Sequence, residues 1–224
     1  MGTRMSFKRP DGKPAEGYLA KAGRDHAPGV VVIQEWWGLQ DQIKGIAGRL
    51  ALAGYDALAP DLYGGKAVPY HDAEAAGQEM ASLDFLDAVD QTVRGAVLYL
   101  KRSSPKVGLT GFCLGGAVTV LGAARILELS AAVCFYGLPD PGVVKPADIK
   151  LPFQGHFAAT DDWCTPQKVD AFEAGLKAAG KTAEIFRYQA AHAFMNEQRD
   201  VHDRAAAELG WQRMLGHWRQ HLGH

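Results

Sequence analysis

Hydrophobic positions along the chain alternate between short continuous runs and longer periodic stretches. Gly29 to Ile33 is unbroken apolar sequence between Pro28 and the polar pair Gln34-Glu35. A run of that kind fits a strand covered on both faces, as in parallel sheets. Leu39, Ile43, Ile46, Leu50 and Ala53 then recur at helical spacing, and Gly54 stands where a helix end favours a residue tolerant of positive φ. Tyr55 to Ala59 reads as a second buried strand, ended by Pro60.

The rhythm continues to the end of the chain. Leu86, Val89, Val93, Ala96 and Leu100 predict one helical face, Val107 to Leu109 a strand, and the stretch from about Leu114 a helix. Strands follow over Ala131 to Tyr136, around Phe153 to Ala159, and over Thr182 to Tyr188. Between the last two, Val169, Phe172, Leu176 and Ala179 share a helix face closed by Gly180. Thr165-Pro166 opens that helix with a hydroxyl cap and a proline at the first position. Val201, Ala205, Leu209, Gln212, Leu215 and Leu222 outline a long terminal helix. Strands alternating with helices predict right-handed crossovers, hence an α/β domain with a mainly parallel sheet of about seven or eight strands and helices on both faces. Met5 to Lys8 and Gly17 to Lys21, around Pro10-Asp11-Gly12, predict an antiparallel edge hairpin within the first 25 residues. No repeat or linker divides the chain, so residues 1–224 are expected to form one domain.

Composition narrows the function. Apolar residues make up 47% and charged residues 22%, which is globular. Lys plus Arg number 24 against 25 acidic residues, a balance unsuited to displacing counterions from nucleic-acid phosphates. No run approaches the roughly 20 apolar residues needed to cross a bilayer, and no charged, cleavable leader is recognisable at the start. Met1-Gly2-Thr3-Arg4-Met5-Ser6 matches a myristoylation pattern that is too short to weigh. Cys113, Cys134 and Cys164 are too few and scattered for a disulfide scaffold, and the odd thiol suits a cytoplasmic location. Cys134 fits the core of its strand, and Cys164 a half-exposed place beside a loop. His217 and His221, four apart, lack the Glu or Cys that would complete a zinc set and fit an exposed polar face.

In such a sheet, function gathers at the carboxyl ends of the strands. One turn stands out there: Gly111-Phe112-Cys113-Leu114-Gly115-Gly116, a strand running through a nucleophile-elbow spacing into a helix. The glycines clear space for a strained turn that lifts the nucleophile out of the sheet. The helix N-terminus then aims free N–H groups at the sulfur, which favours an anion. A thiol nucleophile needs a base, and the base an orienting carboxylate. Downstream lie Asp161-Asp162 after one predicted strand and His192 after the last, in the nucleophile, acid, histidine order. Of the two aspartates, Asp161 has the alternative of capping its turn or facing solvent.

These residues carry a family resemblance. From about Gly17 to Leu222 the chain resembles the dienelactone hydrolase (carboxymethylenebutenolidase) family of the α/β-hydrolase superfamily. The likeness is strongest at Ile33-Gln34-Glu35-Trp36-Trp37-Gly38, Ala59-Pro60-Asp61-Leu62-Tyr63, the elbow itself and Ala191-His192-Ala193-Phe194. The resemblance implies an α/β-hydrolase fold and a Cys113–His192–Asp162 triad that cleaves small esters or lactones through a thioester without a cofactor or metal. Asp162 is the expected acid because the family's acid precedes a proline by four residues, as Asp162 precedes Pro166. Glu35 matches a family glutamate near the resting thiol, and burial of a carboxyl there would raise its pKa. Backbone N–H groups of Trp36 and Leu114 are expected to form the oxyanion hole. Tyr136, Trp163 and Phe194 are expected to wall an apolar pocket.

Family members that hydrolyse dienelactone grip its carboxylate with arginines, one of them four residues past the histidine. Here that place is Asn196, and no arginine occurs between Arg49 and Arg94. The bidentate clamp on the dienelactone carboxylate is therefore absent, with Lys66, His71 and Arg199 as the cations that could substitute, and the expected substrates are dienelactone-like or other small esters. A small ester or lactone is the expected partner, with no nucleic acid or membrane, for a monomer or small homo-oligomer. Two other readings use the same residues: an acyltransferase or thioesterase, and a ligand-binding protein that keeps the fold with little catalysis.

Overall fold

A computed structural model describes residues 2–223, so Met1 of the N-terminal pattern and His224 lie outside it. Eight strands form one sheet in the order β1-β2-β4-β3-β5-β6-β7-β8. The expected hairpin is there: β1 (Thr3–Lys8) pairs antiparallel with β2 (Pro14–Ala20), which lies antiparallel to β4 (Asp56–Pro60). From β4 onward every pairing is parallel, through β3 (Gly29–Ile33), β5 (Val107–Phe112), β6 (Ala131–Phe135), β7 (Phe153–Thr160) and β8 (Ala183–Ala191). The ends of β3, β5, β7 and β8 therefore open on one edge.

The unbroken apolar runs are central strands because both of their faces are covered. Val30 and Val32 face a cluster with Ile43, Ile46 and Leu50 of α1 (Asp41–Leu52) and Met214 and Trp218 of α7 (Arg204–His221). Val31 and Ile33 face Val97 and Leu100 of α4 (Arg94–Lys101) and Val118 and Leu121 of α5 (Leu114–Arg125). Val169 and Leu176 of α6 (Pro166–Ala178) pack with Phe153 and Phe157 of β7. Each fully buried Leu or Ile contributes about 1.5–3 kcal/mol of burial energy. Gly54 has φ 94°, in the left-handed region its place after α1 requires. The Thr165 hydroxyl accepts from the Lys168 N–H at 3.4 Å, so the expected cap and proline do open α6.

Several expectations fail in instructive ways. α2 (Ala73–Ser82) was not foreseen, because its alanine-rich face is shallow and buries Ala76 alone in full. α3 (Phe85–Asp87) runs through a π-helical stretch, Ala88–Val93, into α4. The wider π turn rotates the buried face, which leaves Leu86 exposed. Leu209 also faces outward, whereas His217 is buried against Trp218 and His221 rather than on a polar face. Cys164 is buried, not half-exposed.

Candidate active site

Four strand ends deliver the chemistry. Glu35 follows β3, Cys113 follows β5, Asp161 follows β7 and His192 follows β8. Cys113 sits at φ 56° and ψ −118°, a conformation that a residue with a side chain adopts only under strain. Close approach of the neighbouring backbone holds it there. A Cβ on Gly111 would lie 2.1 Å from the Gly115 carbonyl oxygen, and one on Gly137 would lie 2.0 Å from that of Cys113. Leu114 is the first residue of α5, so its N–H has no intrahelical acceptor and points from the helix start toward the elbow.

His192 Nδ1–H donates to Asp161 Oδ2 at 2.6 Å. The other oxygen, Oδ1, accepts from the backbone N–H groups of Trp163 at 2.9 Å and Cys164 at 2.7 Å. The aspartate is thus locked by its own turn before it orients the imidazole, and its side chain is 0% exposed. On the far side, His192 and Cys113 line the same cavity. Burial opposes a charge on His192, but the hydrogen bonds and charges of Asp161 and Cys113 outweigh it and push the imidazole up to about 10. The imidazole therefore holds its proton at neutral pH.

Glu35 is fully enclosed. Its Oε1 accepts from the Tyr136 hydroxyl at 3.2 Å, and its Oε2 accepts from Asn196 Nδ2 at 2.7 Å. Burial pushes this carboxyl above its ordinary value, although Asn196, the charge on His192 and Tyr136 pull it partly back. Glu35, Cys113 and His192 line one cavity of about 220 Å³ with Trp36, Trp37, Met80, Trp163, Ala193 and Arg199. The arrangement provides a thiol, a charged imidazole, a locked carboxylate and a helix-start N–H around one space.

A model of the dienelactone hydrolase family matches residues 15–222. The chain is 34% identical to the protein called Protein usf of Aquifex pyrophilus, over 99% of this chain and 100% of that one. It is 33% identical to "Putative carboxymethylenebutenolidase" of Escherichia coli (strain K12), over 95% of this chain and 84% of that one. The chain belongs to the dienelactone hydrolase family. The crystal structure of a "Putative Dienelactone Hydrolase" from Klebsiella pneumoniae superposes with a TM-score of 0.87 at 30% identity, covering 99% of this chain and 100% of that one. This dienelactone hydrolase family member is accordingly a hydrolase with the α/β-hydrolase fold.

Within this family member, the expected site is corrected at three points. Asp161, not Asp162, meets His192; the turn that binds Asp161 Oδ1 directs its other oxygen inward and leaves Asp162 exposed. Tyr136 and Phe194 do not wall the cavity. Both are 0% exposed and pack behind it, with Tyr136 edge-on to His192 and Phe194 against Tyr136 and Tyr188. Trp163 does line it, as expected, and so does Trp36. Asn196, standing where the family arginine would be, is buried and committed to Glu35 rather than open to a ligand. Of the cations considered, Lys66 is paired with Glu79, His71 is exposed away from the cavity, and Arg199 lines it with its guanidinium 5.2 Å from the centre of the Trp37 ring. Met80 was missed because it belongs to α2, whose one usable sequence signal is the Asp72 cap accepting from Ala75 N–H.

Proposed function

We propose that the chain hydrolyses small carboxylic esters and lactones with Cys113 as nucleophile, His192 as acid and base, and Asp161 as the group that orients the imidazole. The observation that carries this reading is the Asp161–His192 hydrogen bond, with His192 and the Cys113 thiol on one cavity.

With His192 holding the proton in the attack, the sulfur adds to the substrate carbonyl carbon. The carbonyl π electrons move to oxygen, and the N–H groups of Leu114 and Trp36 stabilise that oxyanion. Each such donor is worth about 2.7–4 kcal/mol in transition states of this kind. Collapse breaks the bond to the leaving oxygen, which takes the proton from His192 and departs as an alcohol. From a lactone it stays tethered to the acyl chain. The thioester on Cys113 is then attacked by water, whose proton passes to His192. A second collapse breaks the carbon–sulfur bond, releases the acid and regenerates Cys113 and His192. Glu35, pinned by Tyr136 and Asn196, holds a proton to higher pH than an ordinary carboxyl and limits negative charge beside the resting sulfur.

The test is turnover of p-nitrophenyl acetate by the native chain and by Cys113→Ala. Native turnover with at least a 1,000-fold loss, on the order seen when a triad member is removed, supports the reading; equal rates overturn it.

A further inference from the structure

Next to the catalytic cavity lies a larger one of about 450 Å³, lined mainly by apolar side chains, to which the reaction as described assigns nothing. The two share Met80 and Trp163 as a common wall. Leu114 ties them together more closely: its N–H starts the helix at the nucleophile, while the residue lines the second cavity. Leu83, Phe85, Leu121, Leu138 and Val143 also line it, and among the described lining residues only Asp140 bears a charge. Sites that enclose a small organic ligand usually measure about 300–1,000 Å³. The catalytic cavity at about 220 Å³ is below that range, and the neighbouring groove brings the combined space into it.

We propose that this groove is a substrate subsite that takes one apolar arm of the ester, a hydrocarbon chain or aryl group on either the acyl or the alcohol side. The inference rests on the proposed ester hydrolysis and specifies its substrate class. An arm leaving a carbonyl carbon held at Cys113 extends past the shared residues Met80 and Trp163 toward Leu114 and Leu121. Burying a methylene there gains roughly 0.8 kcal/mol, or about fourfold in affinity at full burial. An anionic arm has no cationic partner among the described residues of this wall. Short esters occupy the catalytic cavity alone and forgo the gain.

Two substrate series separate the arms: p-nitrophenyl esters from acetate to octanoate, and alkyl acetates from ethyl to octyl. The native chain is expected to show kcat/KM rising about two- to fourfold per methylene in one series. Val143 is 56% exposed on the groove, so Val143→Trp fills the space without disturbing the core. That variant is expected to flatten the rise, whereas Val143→Ala keeps it. A flat native series in both arms, or a slope that Val143→Trp leaves intact, overturns the subsite. If acetate turnover depends on Cys113 but both series are flat, the subsite alone fails. If Cys113→Ala matches the native chain on acetate, the hydrolytic reading fails. Calorimetric binding of the alkyl acetates to Cys113→Ala then still reads the groove: affinity must tighten with chain length and lose that trend with Val143→Trp, and a flat series rejects the subsite.

Discussion

Asp161 Oδ2 lies 2.6 Å from His192 Nδ1, while Asp162, one residue on, is exposed. That single-residue distinction assigns the proposed acid. Asp161→Asn is expected to lower kcat/KM for p-nitrophenyl acetate by about 10³–10⁴-fold, since the amide cannot accept the imidazole N–H without reorienting. Asp162→Asn is expected to change it less than about twofold. Steady-state kinetics on the pair decides between them, and the reverse order would restore Asp162.

The charge on His192 gives stability a definite pH dependence. Its folded value of about 10 lies above the ordinary 6.5. The linked stabilisation is therefore complete below about pH 6.5 and is lost as pH rises through 10. Urea unfolding at pH 7 and pH 9.5 is expected to show a larger drop for the native chain than for His192→Gln. An equal drop in both would place the imidazole near its ordinary value.

Asn196 donates to one oxygen of a carboxyl that is 2% exposed. Asn196→Leu is expected to cost about 1–3 kcal/mol of unfolding free energy, the usual penalty for orphaning a buried group. The amide favours the ionised carboxyl, so the loss should be greater at pH 8 than at pH 5. Denaturant melts at both pH values measure it.

Two glycines separate steric need from chance. A Cβ on Gly137 would meet the Cys113 carbonyl oxygen at 2.0 Å, whereas one on Gly77 in α2 meets nothing within 4 Å. Gly137→Ala is expected to destabilise by about 1–3 kcal/mol or more. Gly77→Ala should stabilise by about 0.5–1 kcal/mol, because alanine loses less backbone freedom in a helix. Thermal unfolding of both variants checks the contrast.

The sheet was legible because central parallel strands such as Gly29–Ile33 must be apolar on both faces, a pattern no polar loop imitates. Cys113 and His192 were legible because the elbow's glycines and the order along the chain restrict where nucleophile and base can lie. Asp161 was not, since adjacent aspartates differ only in the turn geometry, and a match counted to Pro166 pointed one residue too far. Tyr136 and Phe194 were placed near the site correctly but one layer too shallow, because aromatic side chains serve core and pocket alike. Met80 required α2, whose face gives too weak a period to announce it.

Cys134 and Cys164 provide an internal control for the nucleophile, since both thiols are buried and burial pushes Cys134 up to about 12 and Cys164 higher still. The most direct measurement mixes the protein with a slowly deacylating p-nitrophenyl ester, quenches it in acid within a turnover, and maps the acyl group by peptide mass. The thioester should appear on the peptide carrying Cys113, match the burst of p-nitrophenol, and vanish in Cys113→Ala. Acylation at another residue, or steady turnover that persists in Cys113→Ala, would contradict a thiol-based hydrolysis at this site.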